Sequence, residues 1–408
     1  MGSYSVRPSF PECLLIALLF FSAVPLSAQD GETSMFGSFQ AIFFTQKSRV
    51  SVTDNNRYGK FSLSEERSSF AIQQLDIFLH REIDDEFSAF IDLEYQLNYS
   101  SEHRWGSMSV QEAWLQYAPM DEFTVKAGLL YPSFNHLNEI KNRLALLPYI
   151  FRPGVYERLL SRLYNSENYI PEHAFLQIHG AIPLSKTFID YAVYTGNAEA
   201  SYITRMGPDG ALVSERNQNF EFLSGVDPTD VKLKLFGGRV GMRSRDEQIK
   251  AGISWTHDYD NLRDTLSYMP SIILPRADLV GDAPRNRLGA DLSGSIGPVQ
   301  FEGEYIGVFY DYEKAERLGI DMSLSFVYGM LGYWFTDQLF LYTSGEAGHG
   351  TFGESWRHTT FSVGASMKLN PSVTAKGQFI VHEQLYDKNF PSDKAVLKFV
   401  FIGLSVLL

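Results

Sequence analysis

Charged side chains recur at every second position in several short runs of this chain. Asp92 and Glu94 alternate with Phe87, Ala89, Ile91, Leu93, Tyr95 and Leu97. Glu302 and Glu304 alternate with Val299, Phe301 and Tyr305, and Asp291 with Leu288, Ala290, Leu292 and Ile296. Asp76 and Glu112 sit in similar runs. Basic residues gather elsewhere: Lys126 in 123–130, Lys232, Lys234 and Lys250 in 231–258, and Lys368, Lys376 and Lys398 in the last three runs. The segment 132–173 adds Lys141, Arg143, Arg152, Arg158 and Arg162 against Glu139 and Glu157. In a strand, a spacing of two puts side chains on one face. Such charges can orient polar or ionic solutes through charge-assisted hydrogen bonds without breaking any bond.

Bond-breaking chemistry finds no support. The chain lacks a Gly-x-Ser-x-Gly elbow, a His-Glu-x-x-His pair and any Cys/His zinc spacing. Asp258, Asp260 and Asp264 lack the glycine and terminal glutamate of a calcium loop, so they read as a solvated acidic loop. The run 345–353, GEAGHGTFG, follows a strand without opening a helix and reads as a flexible surface loop. No cofactor, metal or enzymatic activity is expected.

Composition narrows the class. A formal net charge of −13 argues against nucleic acid as a partner. Aromatic residues make up 14%, mostly Tyr and Phe, as girdles at two membrane interfaces would require. Residues 1–28 read as a secretory signal, with Arg7, an apolar run over 13–26 and a small residue at Ala28. Cys13, the one cysteine, lies inside it, so 29–408 is a single thiol-free unit. After Ala28 no apolar run approaches the roughly 18 residues of a membrane helix.

The elements that must hold these charges are strands. Sixteen are read, near 35–46, 70–80, 87–97, 108–117, 123–130, 174–182, 187–195, 231–243, 248–258, 288–296, 299–309, 323–335, 338–346, 358–368, 372–383 and 396–408. Gly297-Pro298 turns one hairpin. Connections alternate between short (81–86, 119–122, 183–186, 297–298) and long (47–69, 132–173, 196–230, 259–286). Short turns on one side and long loops on the other fit a transmembrane antiparallel β-barrel with apolar residues toward lipid and polar ones toward a lumen. The fold expected is therefore all-β, in the outer membrane of a Gram-negative bacterium, with outer-membrane lipid and small polar or ionic solutes as partners. Gly237-Gly238 suggests a bulge. The run 323–335, apolar on both faces, suggests a subunit contact.

Several motifs resemble the outer-membrane porins of the phosphate-selective type. They are GADL (289–292), GP (297–298), EYI (304–306), EAWLQY (112–117), KAGLL (126–130) followed by PSF (132–134), and DYAVYTGN (190–197). The resemblance is diffuse and runs over most of 29–408. It implies a sixteen-stranded passive channel, a homotrimer, whose third long loop folds inward. The chain departs from that family by ending in GLSVLL rather than an aromatic residue, although Ile402, Leu404, Val406 and Leu408 keep the alternation. It also lacks the arginine ladder of the phosphate-specific members.

Segment 132–173 is too apolar for a surface loop, with Leu144, Leu146, Leu147, Tyr149, Ile150, Phe151, Val155, Leu159, Leu160 and Leu163. Pro153-Gly154 lets it turn, and 156–163 has helical spacing. Folded inward, its five basic residues would form a constriction facing Asp92, Glu94 and Glu112. The rest of the lumen would be lined by Lys126, Lys232, Lys234, Lys250, Asp291, Glu302 and Glu304. The alternatives are an outward loop against a neighbouring subunit, and a barrel that mainly binds, displays or anchors.

Overall fold

A computed structural model describes residues 32–54, 59–96, 107–157, 166–197, 203–206, 212–215, 233–261, 282–311, 313, 322–352, 355–386 and 392–408. Its strands are β1 (Thr33–Asp54), β2 (Gly59–Glu82), β3 (Phe87–Gln96), β4 (Ser107–Met120), β5 (Phe123–Leu130), β6 (Ala174–Pro183) and β7 (Thr187–Asn197). After β8 (Ile203–Met206) and β9 (Leu212–Glu215) come β10 (Leu233–Ser244), β11 (Ile249–Asn261), β12 (Asp282–Ile296), β13 (Val299–Tyr310) and β14 (Met322–Trp334). The last are β15 (Leu339–Phe352), β16 (Ser355–Asn370), β17 (Val373–Tyr386) and β18 (Ser392–Leu407). Strands β8 and β9 pair only with each other. The other sixteen form one closed antiparallel barrel in chain order, with β18 returning to β1. Ser38 faces Leu407 across this seam, and the Leu408 N–H donates to the Gly37 carbonyl at 2.8 Å. Closure leaves the barrel itself without an unpaired strand edge, which an apolar surrounding demands.

The period-2 pattern is realised as two faces. On β18, Ile402 is 61% exposed and its neighbour Phe401 is 2% exposed. Leu288, Leu292 and Ile296 on β12, and Tyr305 and Phe309 on β13, likewise point out, while Arg287, Asp291 and Ser293 are buried. Gly297 turns this hairpin at φ 58°, a backbone conformation glycine adopts without penalty.

Four details differ from the sequence reading. The expected long connection 47–69 is mostly strand, because β1 and β2 run on as a hairpin of 22 and 24 residues. About 9–11 suffice to cross a bilayer. The register of β10 slips at Leu233/Leu235, not at Gly237-Gly238. Gly237 instead makes room for a ring, since a Cβ there would lie 2.6 Å from the Tyr194 ring. The glycine-rich 345–352 is strand, paired on both sides with β14 and β16. Finally, the second apolar face of β14 points into the barrel. Met322, Leu324, Phe326, Tyr328 and Met330 are buried against the loop after β5.

Candidate functional site

The loop between β5 and β6 lies inside the barrel. It contains a short helix α1 (His136–Ile140), two 3-10 turns (Leu144–Leu146 and Gly154–Tyr156) and a short helix α2 (Ser166–Tyr169). Phe134, Leu137, Leu144, Leu147, Tyr149, Val155 and Tyr156 pack with the inward residues of β13, β14 and β15. Ile150 and Phe151 pack on Ile42, Ile380, Leu397, Phe399 and Phe401 from the seam side. Each large apolar side chain buried this way contributes about 1.5–3 kcal/mol relative to exposure.

Polar bonds then fix the loop all round the wall. Glu304 on β13 accepts the Leu137 N–H at 2.7 Å and the Tyr156 hydroxyl at 2.6 Å. Glu346 on β15 accepts the Gly154 N–H at 2.7 Å. Lys376 on β17 donates to the Leu144 carbonyl (3.0 Å), the Ala145 carbonyl (3.3 Å) and Gln40 Oε1 (3.0 Å). Gln378 Oε1 accepts the Ile150 and Phe151 N–H groups at 3.0 and 2.7 Å. The Ile150 carbonyl accepts from Gln73 of β2 at 2.9 Å and from Gln40 of β1 at 3.4 Å. Ile150 is thus held by β17 on one side of the seam and by β1 and β2 on the other. On the opposite wall, Arg287 donates to the Asn168 carbonyl at 3.1 Å.

Burial raises the Tyr149 and Tyr156 phenols well above their usual range, with the Glu302 and Glu304 charges adding to it for Tyr149 and the Glu304 charge for Tyr156. Both stay protonated and able to donate. Burial also lowers the His136 imidazole below its usual value of 6.5, and Glu139 and Asp291 oppose that shift.

The residues singled out from sequence fall into three groups. Some are buried. Asp92, Glu94, Asp291 and Glu304 are buried, and Glu302 is partly so. Asp76 faces Glu94, and Asp92 faces Glu112, directly across strand pairs. Like charges in that position oppose pairing. Asp76 is compensated in part by Ser38 Oγ at 3.3 Å and Gln74 Nε2 at 3.0 Å. Arg143 acts electrostatically on both Asp92 and Lys126.

A second group braces the loop itself, which differs from the expected lumen-facing role. Lys141 and Arg152 are each only 6% exposed. Lys141 donates to Asn138 Oδ1 at 3.0 Å and lies over the Tyr131 ring, while Arg152 donates to the Lys141 carbonyl at 2.6 Å and pairs with Glu157 at 3.6 Å. The interior of a folded loop has oxygens to satisfy, and here Arg152 satisfies a backbone carbonyl and Lys141 a side-chain amide oxygen.

A third group keeps access to water. Arg143 and Glu139 on the loop are exposed, and Glu112, Lys126 and Lys250 on the wall are partly so. Lys126 sits over the Trp114 ring at 4.2 Å, and Trp114 Nε1 donates to Glu112 Oε2 at 2.9 Å. Sequence reasoning missed Arg239, which grips Asp291 at 2.6 Å, and Arg243, which pairs with Asp190 at 3.0 Å. Both stand on the β10 face opposite Val240 and Met242, and the Gly-Gly slip assumed there hid their parity.

Three expectations end differently. Asp258 is not a solvated loop residue, for it is 3% exposed and bound by Arg285 and Arg287 at 2.8 Å each. Lys398 is exposed on the outward face with Val400 and Ile402. Lys376 is buried as a loop anchor. Arg158, Arg162, Lys232 and Asp264, with most of the expected helical stretch 156–163, lie outside the described residues, and Lys234 is described only in its backbone.

No protein-family model matches the sequence, and no characterised protein matches it by sequence. Solved structures do match in fold. The anion-selective porin from Comamonas acidovorans superposes with a TM-score of 0.56 at 10% identity, over 93% of this chain and 100% of that one. A loop-deleted OmpT, an outer membrane protein of Vibrio cholerae, gives 0.54 at 9% identity over 93% and 100%. The outer membrane channel DcaP of Acinetobacter baumannii gives 0.50 at 10% over 91% and 97%. At such identities the likeness is one of fold, and the fold is that of the sixteen-stranded outer-membrane porins.

Proposed function

We propose that this chain is a passive channel of a Gram-negative outer membrane for small polar or charged solutes, anions such as phosphate among them. The observation that carries this reading is the loop inside the barrel, tethered to strands on opposite walls. A barrel of sixteen strands encloses an aqueous lumen unless filled, and a docked loop narrows it to a defined path. That path runs beside the charges that keep access to water: Lys126, Arg143 and Lys250 of one sign, Glu112 and Glu139 of the other. Opposed charges at a narrow point orient a dipolar or ionic solute as it passes. Nothing in such passage needs a catalytic group or a cofactor. Following the resemblance, the assembly is a homotrimer, which the native mass of the unboiled protein tests.

The channel is tested by reversal potential in a salt gradient across a planar bilayer. Replacing both Lys126 and Arg143 with alanine is expected to shift selectivity toward cations. An unchanged potential would place the selective point elsewhere. The apolar packing between the loop and β13–β15 favours a second reading, a filled barrel that anchors or binds. Correctly folded protein with no conductance would establish that one instead.

A further inference from the structure

Between the loop and the strands β14 to β17 lies a small cavity of about 20 Å³, room for roughly one water-sized occupant. Its polar lining includes Tyr149 and Arg152 from the loop and Ser344, Glu346 and Ser362 from the wall, with the Tyr328 ring beside them. Glu346 uses one oxygen, Oε2, to accept the Gly154 N–H. Its other oxygen, Oε1, is buried with no hydrogen-bond partner, and Thr360 stands directly across the strand pair from it. The one basic residue of the lining, Arg152, is already paired with Glu157. Among the residues lining the cavity, Glu346 therefore has no cation of its own.

A buried carboxylate without a counter-charge is unstable by several kcal/mol. A water molecule in the cavity would satisfy Oε1 as an acceptor but leave the charge uncompensated. A divalent ion would call for several carboxylates, and the cavity offers one. Hydroxyl oxygens and aromatic faces suit a weakly hydrated single charge. We propose that this cavity is a monovalent-cation site, with Glu346 Oε1 as the charged ligand and the hydroxyls of Ser344 and Ser362 as neutral ones. An ion of the size of sodium, potassium or ammonium there touches both wall and loop, and so fastens one to the other. The site does not depend on whether solutes pass through the barrel.

The test uses the folded full chain in detergent. Its heat-induced band shift on gels is followed in rubidium chloride or potassium chloride and in N-methylglucamine chloride of equal ionic strength. The transition is expected to rise saturably with rubidium or potassium but not with N-methylglucamine, and Glu346→Gln is expected to remove that dependence. Rubidium anomalous scattering from crystals of the unaltered protein should give a peak beside Glu346. Equal transitions in all three salts would overturn the proposal, because the carboxyl would then be neutralised by a proton. Retained dependence in Glu346→Gln would overturn it as well. Should that variant not fold, the rubidium map decides alone: a peak at Glu346 supports the site and its absence refutes it.

Discussion

Glu304 shows how much one inward side chain can hold. Its two oxygens serve partners 167 and 148 positions away, the Leu137 N–H and the Tyr156 hydroxyl. Glu304→Ala would leave both donors buried and unpartnered, at about 1–3 kcal/mol each. The loop is then expected to be cut by protease within 132–173 while the barrel stays folded. Equal resistance in the variant would show that Glu304 does not hold it. His136 adds a pH response. Docking lowers its imidazole pKa, with Glu139, Asp291, Lys250 and Arg239 as the charges around it. The contribution to docking is complete above the undocked value near 6.5 and declines as pH falls below it. Between pH 7 and 5, channel noise should therefore rise more in the unaltered protein than in His136→Gln, and identical rises would assign the response to other groups. That Glu304 points inward could be read from its alternation with Phe301 and Tyr305. What it binds could not, because no local pattern reports a partner so distant in sequence.

At the scale of elements, alternation located all sixteen barrel strands, since a strand between lipid and interior must change polarity at every residue. It failed where both faces are apolar. On β14 the inward residues face the loop rather than water, and Met322, Leu324 and Phe326 gave no sign of which side was lipid. The apolar content of 132–173 was the other half of that pattern, and the two were legible only together. Strand ends were misread over 47–69 because polar alternation above the membrane has no apolar partner to mark it. The outward face of β18 gives a direct check. Ile402→Lys, in the middle of Val400 to Leu404, should cost about 2–4 kcal/mol of barrel stability. The neighbouring change Lys398→Ala, at an exposed position nearer the strand's other end, should cost far less. Urea unfolding midpoints that do not separate the two would mean that this face does not meet lipid.

For the whole molecule, a closed barrel has no free edge from which to unravel, so the unboiled protein is expected to migrate apart from the boiled form. It should fractionate with outer membranes, and its N-terminal mass should report cleavage near Ala28. Recovery from the periplasm at full length would contradict both.

The clasp at Ile150 has a consequence for the order of events during folding. The seam joins residues as far apart as Gln40 and Ser405, whose side chains meet at 2.6 Å across 365 positions of sequence. Bringing such ends together is slow because chain entropy is lost before any contact compensates. A central segment that already grips Gln73 on one side and Gln378 on the other shortens that search, since each half of the barrel need only find the middle of the chain. The inward loop then acts as a template for closure. Gln73→Ala with Gln378→Ala should slow the appearance of the compact gel band severalfold while changing its rate of loss much less, the mark of contacts formed before the transition state.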